Sequence, residues 1–175
     1  MTNEMLQLLK EASMNNENAV QVLLLRFQEN KLSHIEQEEI YYYMKQMSHH
    51  NVQAIYIEAL FYDVGLGIKQ NRDMAFLLMR EASAKGHAKA IYEVGLRFLE
   101  GVGVDQHYDN AREWLEIAAD SPHYVREAMF IMGYLYEEGL GIEINLEIAK
   151  AWYEKAALKG HDAAKLKLLQ DKFKV

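Results

Sequence analysis

The chain has no cysteine, which excludes a disulfide framework and a thiolate metal site and removes any dependence on an oxidising compartment. It has one proline, Pro122, so nearly all of its 175 residues are free to be helical. Lysine and arginine are outnumbered by aspartate and glutamate, 19 to 26. The resulting net charge of −7 comes without a basic stripe, which argues against nucleic acid as a partner. No apolar run approaches the length that crosses a bilayer. The opening stretch MTNEMLQLLKEASMNNEN lacks the basic and apolar regions of a secretory signal. A cytoplasmic protein with no membrane partner is the expectation. In bulk the chain is ordinary for a folded protein, half hydrophobic and 26% charged, and too apolar for disorder.

Its order is internal. Counted from Ala128, small residues fall at Gly133 (+5), Gly139 (+11), Gly141 (+13), Ala149 (+21), Ala156 (+28) and Gly160 (+32). The same offsets from Ala54 give Ala59, Gly65, Gly67, Ala75, Ala82 and Gly86. From Ala90 they give Gly95, Gly101, Gly103, Ala111 and Ala118, after which the register slips in the loop Asp120–Tyr124. A period of this size signals an array of helix pairs, each burying its apolar face only against its neighbours. The expected fold is all-α, an α-solenoid of stacked antiparallel helix pairs with about ten helices.

The units are expected at 54–89, 90–127 and 128–161, with first helices over 53–64, 89–100 and 126–138 and second helices over 72–84, 108–119 and 146–158. A half-repeat helix (1–14) precedes them, because LLKEAS at 8–13 matches LMREAS at 78–83. A degenerate repeat follows it (15–53). Asn15, Asn16 or Asn18 caps its first helix, Asn30 replaces the left-handed glycine, Ser33 and Glu36 have capping-box spacing, and Asn51 stands for the closing glycine. Residues 162–175 form a capping helix whose lysines are expected to meet water. Asn71 and Asn145 are well placed to cap second helices; His107 is a poorer cap, with Asp105 or Asp109 as substitutes. The glycines at +11 close first helices in the left-handed region and those at +13 let the chain reverse. Gly95 and Gly133, each costing about 1 kcal/mol in a helix interior, are expected to allow backbone-close packing.

The pattern quoted by Ala128, Phe130, Gly133, Tyr136, Gly139, Gly141, Ala149, Trp152, Ala156, Gly160 and His161 resembles the SEL-like repeat family, cousins of tetratricopeptide repeats. Three units match well, and weaker versions extend over nearly the whole chain. Ala59 in place of glycine, the irregular Asp120–Tyr124 loop and the missing cysteine pairs of one secreted branch are departures. The resemblance implies an α-solenoid that binds proteins or peptides as an adaptor or regulator, and it implies no reaction.

By analogy with the tetratricopeptide cousins, first helices line a concave face. The residues carried onto it are Tyr56, Leu60 and Asp63, then Tyr92, Glu93, Leu96 and Glu100, then Phe130, Tyr134, Glu137 and Glu138, flanked by Ile57, Val64, Leu99 and Ile131. Such a groove is aromatic and acidic and suits a protein or peptide with basic residues. The competing reading makes the rings inter-repeat core and the acids a solvated face. Seven histidines yield no metal site, since His49 and His50 point to different helix faces and no ligand spacing appears. Glu137 and Glu138 lack a convergent partner for acid–base work, and no nucleophile or phosphate-loop motif occurs. The expectation is therefore a non-enzymatic bacterial adaptor without cofactor or metal, monomeric or weakly self-associating. An inhibitor or immunity-type protein is the alternative, and a hydrolase the remote one.

Overall fold

Helix starts in this chain are set by side chains that accept from first-turn amides. The computed structural model describes residues 2–14, 16–29, 32–120 and 122–173. Ten α-helices and no strand occur among the described residues: α1 (Asn3–Ser13), α2 (Glu17–Gln28), α3 (His34–Ser48), α4 (Val52–Val64), α5 (Arg72–Ala84), α6 (Ala88–Glu100), α7 (Tyr108–Ala119), α8 (Arg126–Glu138), α9 (Leu146–Leu158) and α10 (Asp162–Leu168). A 3-10 turn, Asp171–Phe173, ends the described chain. The chain divides into two compact units, Met1–Ala90 and Ile91–Val175.

The caps follow the sequence closely and correct it in two places. Asn71 and Asn145 accept from Met74 and Ile148, each at 3.0 Å. The Ser33–Glu36 capping box forms in both directions, and Asn16 caps α2 through the Ala19 amide at 3.2 Å. Asn51 does not stand for a closing glycine; it caps α4, accepting from Ala54 at 3.0 Å. Nor do Asp105 or Asp109 take over from His107, whose own Nδ1 accepts from Asn110 at 3.2 Å. His87 and His161 do the same for α6 and α10, at 3.1 and 3.3 Å. An imidazole held in the tautomer that leaves Nδ1 bare presents an acceptor bonded directly to Cγ, the same place at which an asparagine carries its Oδ1. The lysines of α10 and the terminal turn, which also depart from expectation, are described with the site. The cap expected at Asn30, like that at Asn15, lies outside the described residues.

Glycine has two separate uses here. Gly65, Gly101 and Gly139 end first helices with φ of 81°, 71° and 71°, the left-handed closure expected. The glycines two residues on, Gly67 and Gly141, are also left-handed, and they touch the preceding second helix. A β-carbon at Gly67 would sit 2.5 Å from the carbonyl oxygen of Gln37 in α3, and one at Gly141 would overlap the β-carbon of Tyr108 in α7. Within first helices, Gly133 admits a side chain, and Gly95 meets both the side chain of Leu115 and, at 3.2 Å, its backbone nitrogen. Their β-carbons would come within 2.8 Å of Leu115 and 2.7 Å of the Tyr153 ring. The expected backbone-close packing is met at Gly95, whereas at Gly133 the large Tyr153 ring of the second helix is seated against bare backbone instead.

Each unit has its own core. In the first, Leu9, Leu23, Ile40, Met44 and Phe61 are fully buried, and the Tyr41 and Tyr62 hydroxyls share a 2.8 Å hydrogen bond. Tyr42, next to Tyr41, stays exposed, as three consecutive tyrosines on a helix require. In the second, Leu115, Met132, Leu135 and Tyr153 are fully buried. Ala75, Ala111, Ala149 and the partners seven residues on, Ala82, Ala118 and Ala156, have no exposed surface, which places the small-residue stripe where helices meet.

Candidate functional site

The residues expected on a binding face lie on α4, α6 and α8, and their burial separates them into two groups. In the first unit, Tyr56 is buried and stacks on His87 with centroids 4.5 Å apart. Ile57 is buried as well. Leu60 packs half-buried on the cluster of Ile55, Tyr56, Ala82 and Ala90, and Asp63 is half-buried with its carbonyl accepting from Gln70 at 2.8 Å. Val64 alone of these is well exposed. In the second unit, Phe130 repeats the Tyr56 arrangement, stacking on His161 at 4.5 Å. The ring two residues into a repeat therefore packs on the histidine that follows the closing glycine and caps the next helix. One contact serves the helix junction and the repeat junction together.

Glu137 is also turned inward. Its side chain is 2% exposed and accepts from the Tyr153 hydroxyl, from Lys167 Nζ at 2.8 and 2.9 Å and from Lys172 Nζ at 2.5 Å. Burial works against its charge, but the two ammonium groups and the phenol outweigh it and bring its pKa down to about 2. Burial first, and then the Glu137 carboxylate, push the Tyr153 phenol above its ordinary range. Two of the lysines expected to face water thus fasten α10 and the terminal turn onto α8 and α9. Lys165 instead pairs with Asp162 at 2.8 Å on the surface. No spacing rule could have announced this, since the partners lie 30 and 35 residues apart.

The remaining residues stay partly open to solvent. On α6, Tyr92, Glu93, Leu96 and Leu99 are half-buried and Glu100 is exposed; on α8, Ile131 is half-buried while Tyr134 and Glu138 are exposed. Tyr92 is the electrostatic centre of this group. Burial raises its phenol to about 12, and the carboxylates of Glu93, Glu127 and Glu100 add to the rise. Glu127, from the first turn of α8, was not among the positions carried over by analogy. It hydrogen-bonds Arg126 at 2.9 Å; burial opposes its charge, and that bond to Arg126 turns the net shift downward. Tyr134 has Lys167 Nζ 5.9 Å from its ring centroid, so a cation from α10 already borders the aromatic surface.

Helix pairs stacked through small-residue seams define the class of the protein, an all-helical repeat fold of the α-solenoid type. The Sel1 repeat pattern matches residues 53–87, 88–123 and 126–161, more than half of the chain. The chain belongs to the Sel1 repeat family. Among solved structures it is similar to a Sel1 repeat protein from Oxalobacter formigenes, with a TM-score of 0.73 and 22% identity over 89% of this chain and 63% of that one. It is also similar to a protective antigen present in uropathogenic Escherichia coli strains that displays an SLR fold, with a TM-score of 0.73 and 28% identity over 94% of this chain and 35% of that one. The chain therefore spans less than two thirds of the length of either. No curated protein matches it. Sel1 repeat proteins generally mediate protein–protein interaction and are typically non-catalytic. No helix among the described residues is long and apolar enough to cross a membrane.

Proposed function

We propose that this chain is a non-enzymatic adaptor, bacterial and cytoplasmic, that binds a protein or peptide segment carrying basic residues. The reading centres on the second unit, at Tyr92, Glu93, Leu96 and Glu100 of α6 with Tyr134 and Glu138 of α8. The observation that supports it is that the Glu93, Glu100 and Glu127 carboxylates, from two helices, all act on the half-buried Tyr92 phenol and add to its rise. A half-exposed ring offers area to the apolar stem of a lysine or arginine, and carboxylates around it meet the charged end. In the first unit the corresponding ring, Tyr56, is committed to its stack on His87, which leaves Leu60, Asp63 and Val64 as the candidate positions of that unit. Phe130 and Glu137 are committed elsewhere, to His161 and to Tyr153, Lys167 and Lys172.

Reversing Glu93, Glu100 and Glu138 to lysine tests the proposal. With a lysine- and arginine-rich peptide as probe, followed by fluorescence anisotropy, the wild-type affinity should fall steeply with added salt. The triple variant should bind at least about tenfold more weakly, with that salt dependence gone. Equal affinity of the two proteins at low salt rejects the acidic face.

A further inference from the structure

A carboxylate stands in the first unit where the other clear repeats carry an apolar core residue. Counted from Ala54, Glu58 is at +4, and the same offset gives Val94 in α6 and Met132 in α8, both buried. Glu58 is itself only 6% exposed. No hydrogen bond or ion pair reaches its carboxylate from the described residues. Burial and the bond to Tyr62 raise the Tyr41 phenol first, and the Glu58 charge adds to that rise. A buried charge without a partner opposes folding. A position that breaks the repeat rule with no internal compensation points to a guest.

An independent feature shows where that guest would enter. Glu58 lines a cavity of about 260 Å³ between α3, α4 and α5. The volume lies just below the usual range of small-molecule sites and suits a single side chain. Its apolar walls are Ile55, which is buried, and Leu78, which is half-buried. Ser48 also lines it; its Oγ donates to the Lys45 carbonyl at 2.8 Å, which keeps its lone pairs for a donor. Lys45, His49 and Glu81 complete the lining and are exposed. Lys45 Nζ lies 5.6 Å from the Tyr41 ring centroid, and Glu81 holds Lys85 Nζ at 2.7 Å. Among the described residues no group of three or more histidine, aspartate or glutamate side chains could hold a metal ion, so the donor set suits an organic cation.

We infer that this cavity takes an aliphatic ammonium, the group at the end of a lysine side chain, with its stem between Ile55 and Leu78 and its charge on Glu58. An ammonium is a compact cation with three donors, matched here by a carboxylate and a hydroxyl oxygen, and apolar walls suit its methylene stem. The site is built by the first unit alone and does not rest on the acidic face of α6 and α8. The test is NMR of the full chain at constant ionic strength, following the methyl groups of Ile55 and Leu78 and the Glu58 amide. The probes, titrated separately, are n-butylammonium and an acetylated, amidated tripeptide with a central lysine. Saturable shifts are expected from at least one of them. The tighter binder then tells a free aliphatic amine from a lysine of a partner protein. Glu58→Gln keeps the shape and removes the charge, and should weaken binding at least about tenfold. Should that variant lose helix content, n-butanol on the parent protein serves instead. It has the same stem without the charge and should bind at least about tenfold more weakly than n-butylammonium. The inference is overturned if neither amine saturates those signals, if n-butanol binds as tightly as n-butylammonium, or if a folded Glu58→Gln protein titrates like the parent.

Discussion

Replacing Glu137 with glutamine removes one charge from the contact that fastens the carboxyl-terminal helix to the second unit. The carboxylate is buried, its pKa falls from 4.5 to about 2, and at about 1.4 kcal/mol per pH unit this corresponds to a contribution on the order of 3 kcal/mol. Because the folded-state pKa lies below the unfolded one, the contribution is complete above about pH 5 and is lost as pH falls from 4.5 towards 2. The amide still accepts from Tyr153, and Lys167 and Lys172, with side chains 24% and 41% exposed, regain water. The expected cost at pH 7 is therefore about 2–3 kcal/mol, or roughly 4–12 °C in Tm for a chain of this size. Circular dichroism melts at pH 7, 5 and 3 read the gap, and hydrogen exchange over residues 162–173 should show earlier opening of α10 in the variant. The gap should shrink to roughly 40% of its pH 7 size at pH 3 and reach near zero only below about pH 2. A gap that is equally wide at pH 3 and pH 7, or absent at pH 7, refutes the assignment of Glu137 as the fastener.

Three further outcomes are expected. Gly133→Ala gains about 1 kcal/mol of helix propensity but puts a β-carbon 2.7 Å from the buried Tyr153 ring, so urea denaturation should show a net loss of about 1–3 kcal/mol, with Gly133→Leu and Ala111→Leu worse. Gly141→Ala combines a φ of 69° with overlap on Tyr108 and should lose about 2 kcal/mol or more; a melt matching the parent would falsify the close approach of that loop to α7. His107→Asn exchanges an imidazole cap for a better one at the start of α7 and should stabilise by about 0.5–1 kcal/mol in the same assay.

The division between what was legible and what was not follows the range of the forces involved. Helix ends were legible because their causes are local: Ser33 with Glu36, Asn71 with Met74 and Gly139 at φ 71° act within a few residues. The repeat was legible because each unit meets the next in one way, so small residues must recur at fixed offsets, as Ala75, Ala111 and Ala149 do. His107 as a cap was misjudged because an imidazole caps only in the right tautomer, a choice that offsets cannot reveal.

By itself the sequence determined an all-helical repeat chain with its caps, its seams and its membership of a binding family, all of which depend on spacing along one chain. Tertiary structure alone decided the fate of individual charges and rings. It buried Glu137 under Lys167 and Lys172, spent Tyr56 and Phe130 on histidine stacks, and gathered Glu127 to Tyr92. A carboxylate is a fastener or a docking group according to whether a cation and low exposure surround it, and those neighbours come from helices tens of residues away.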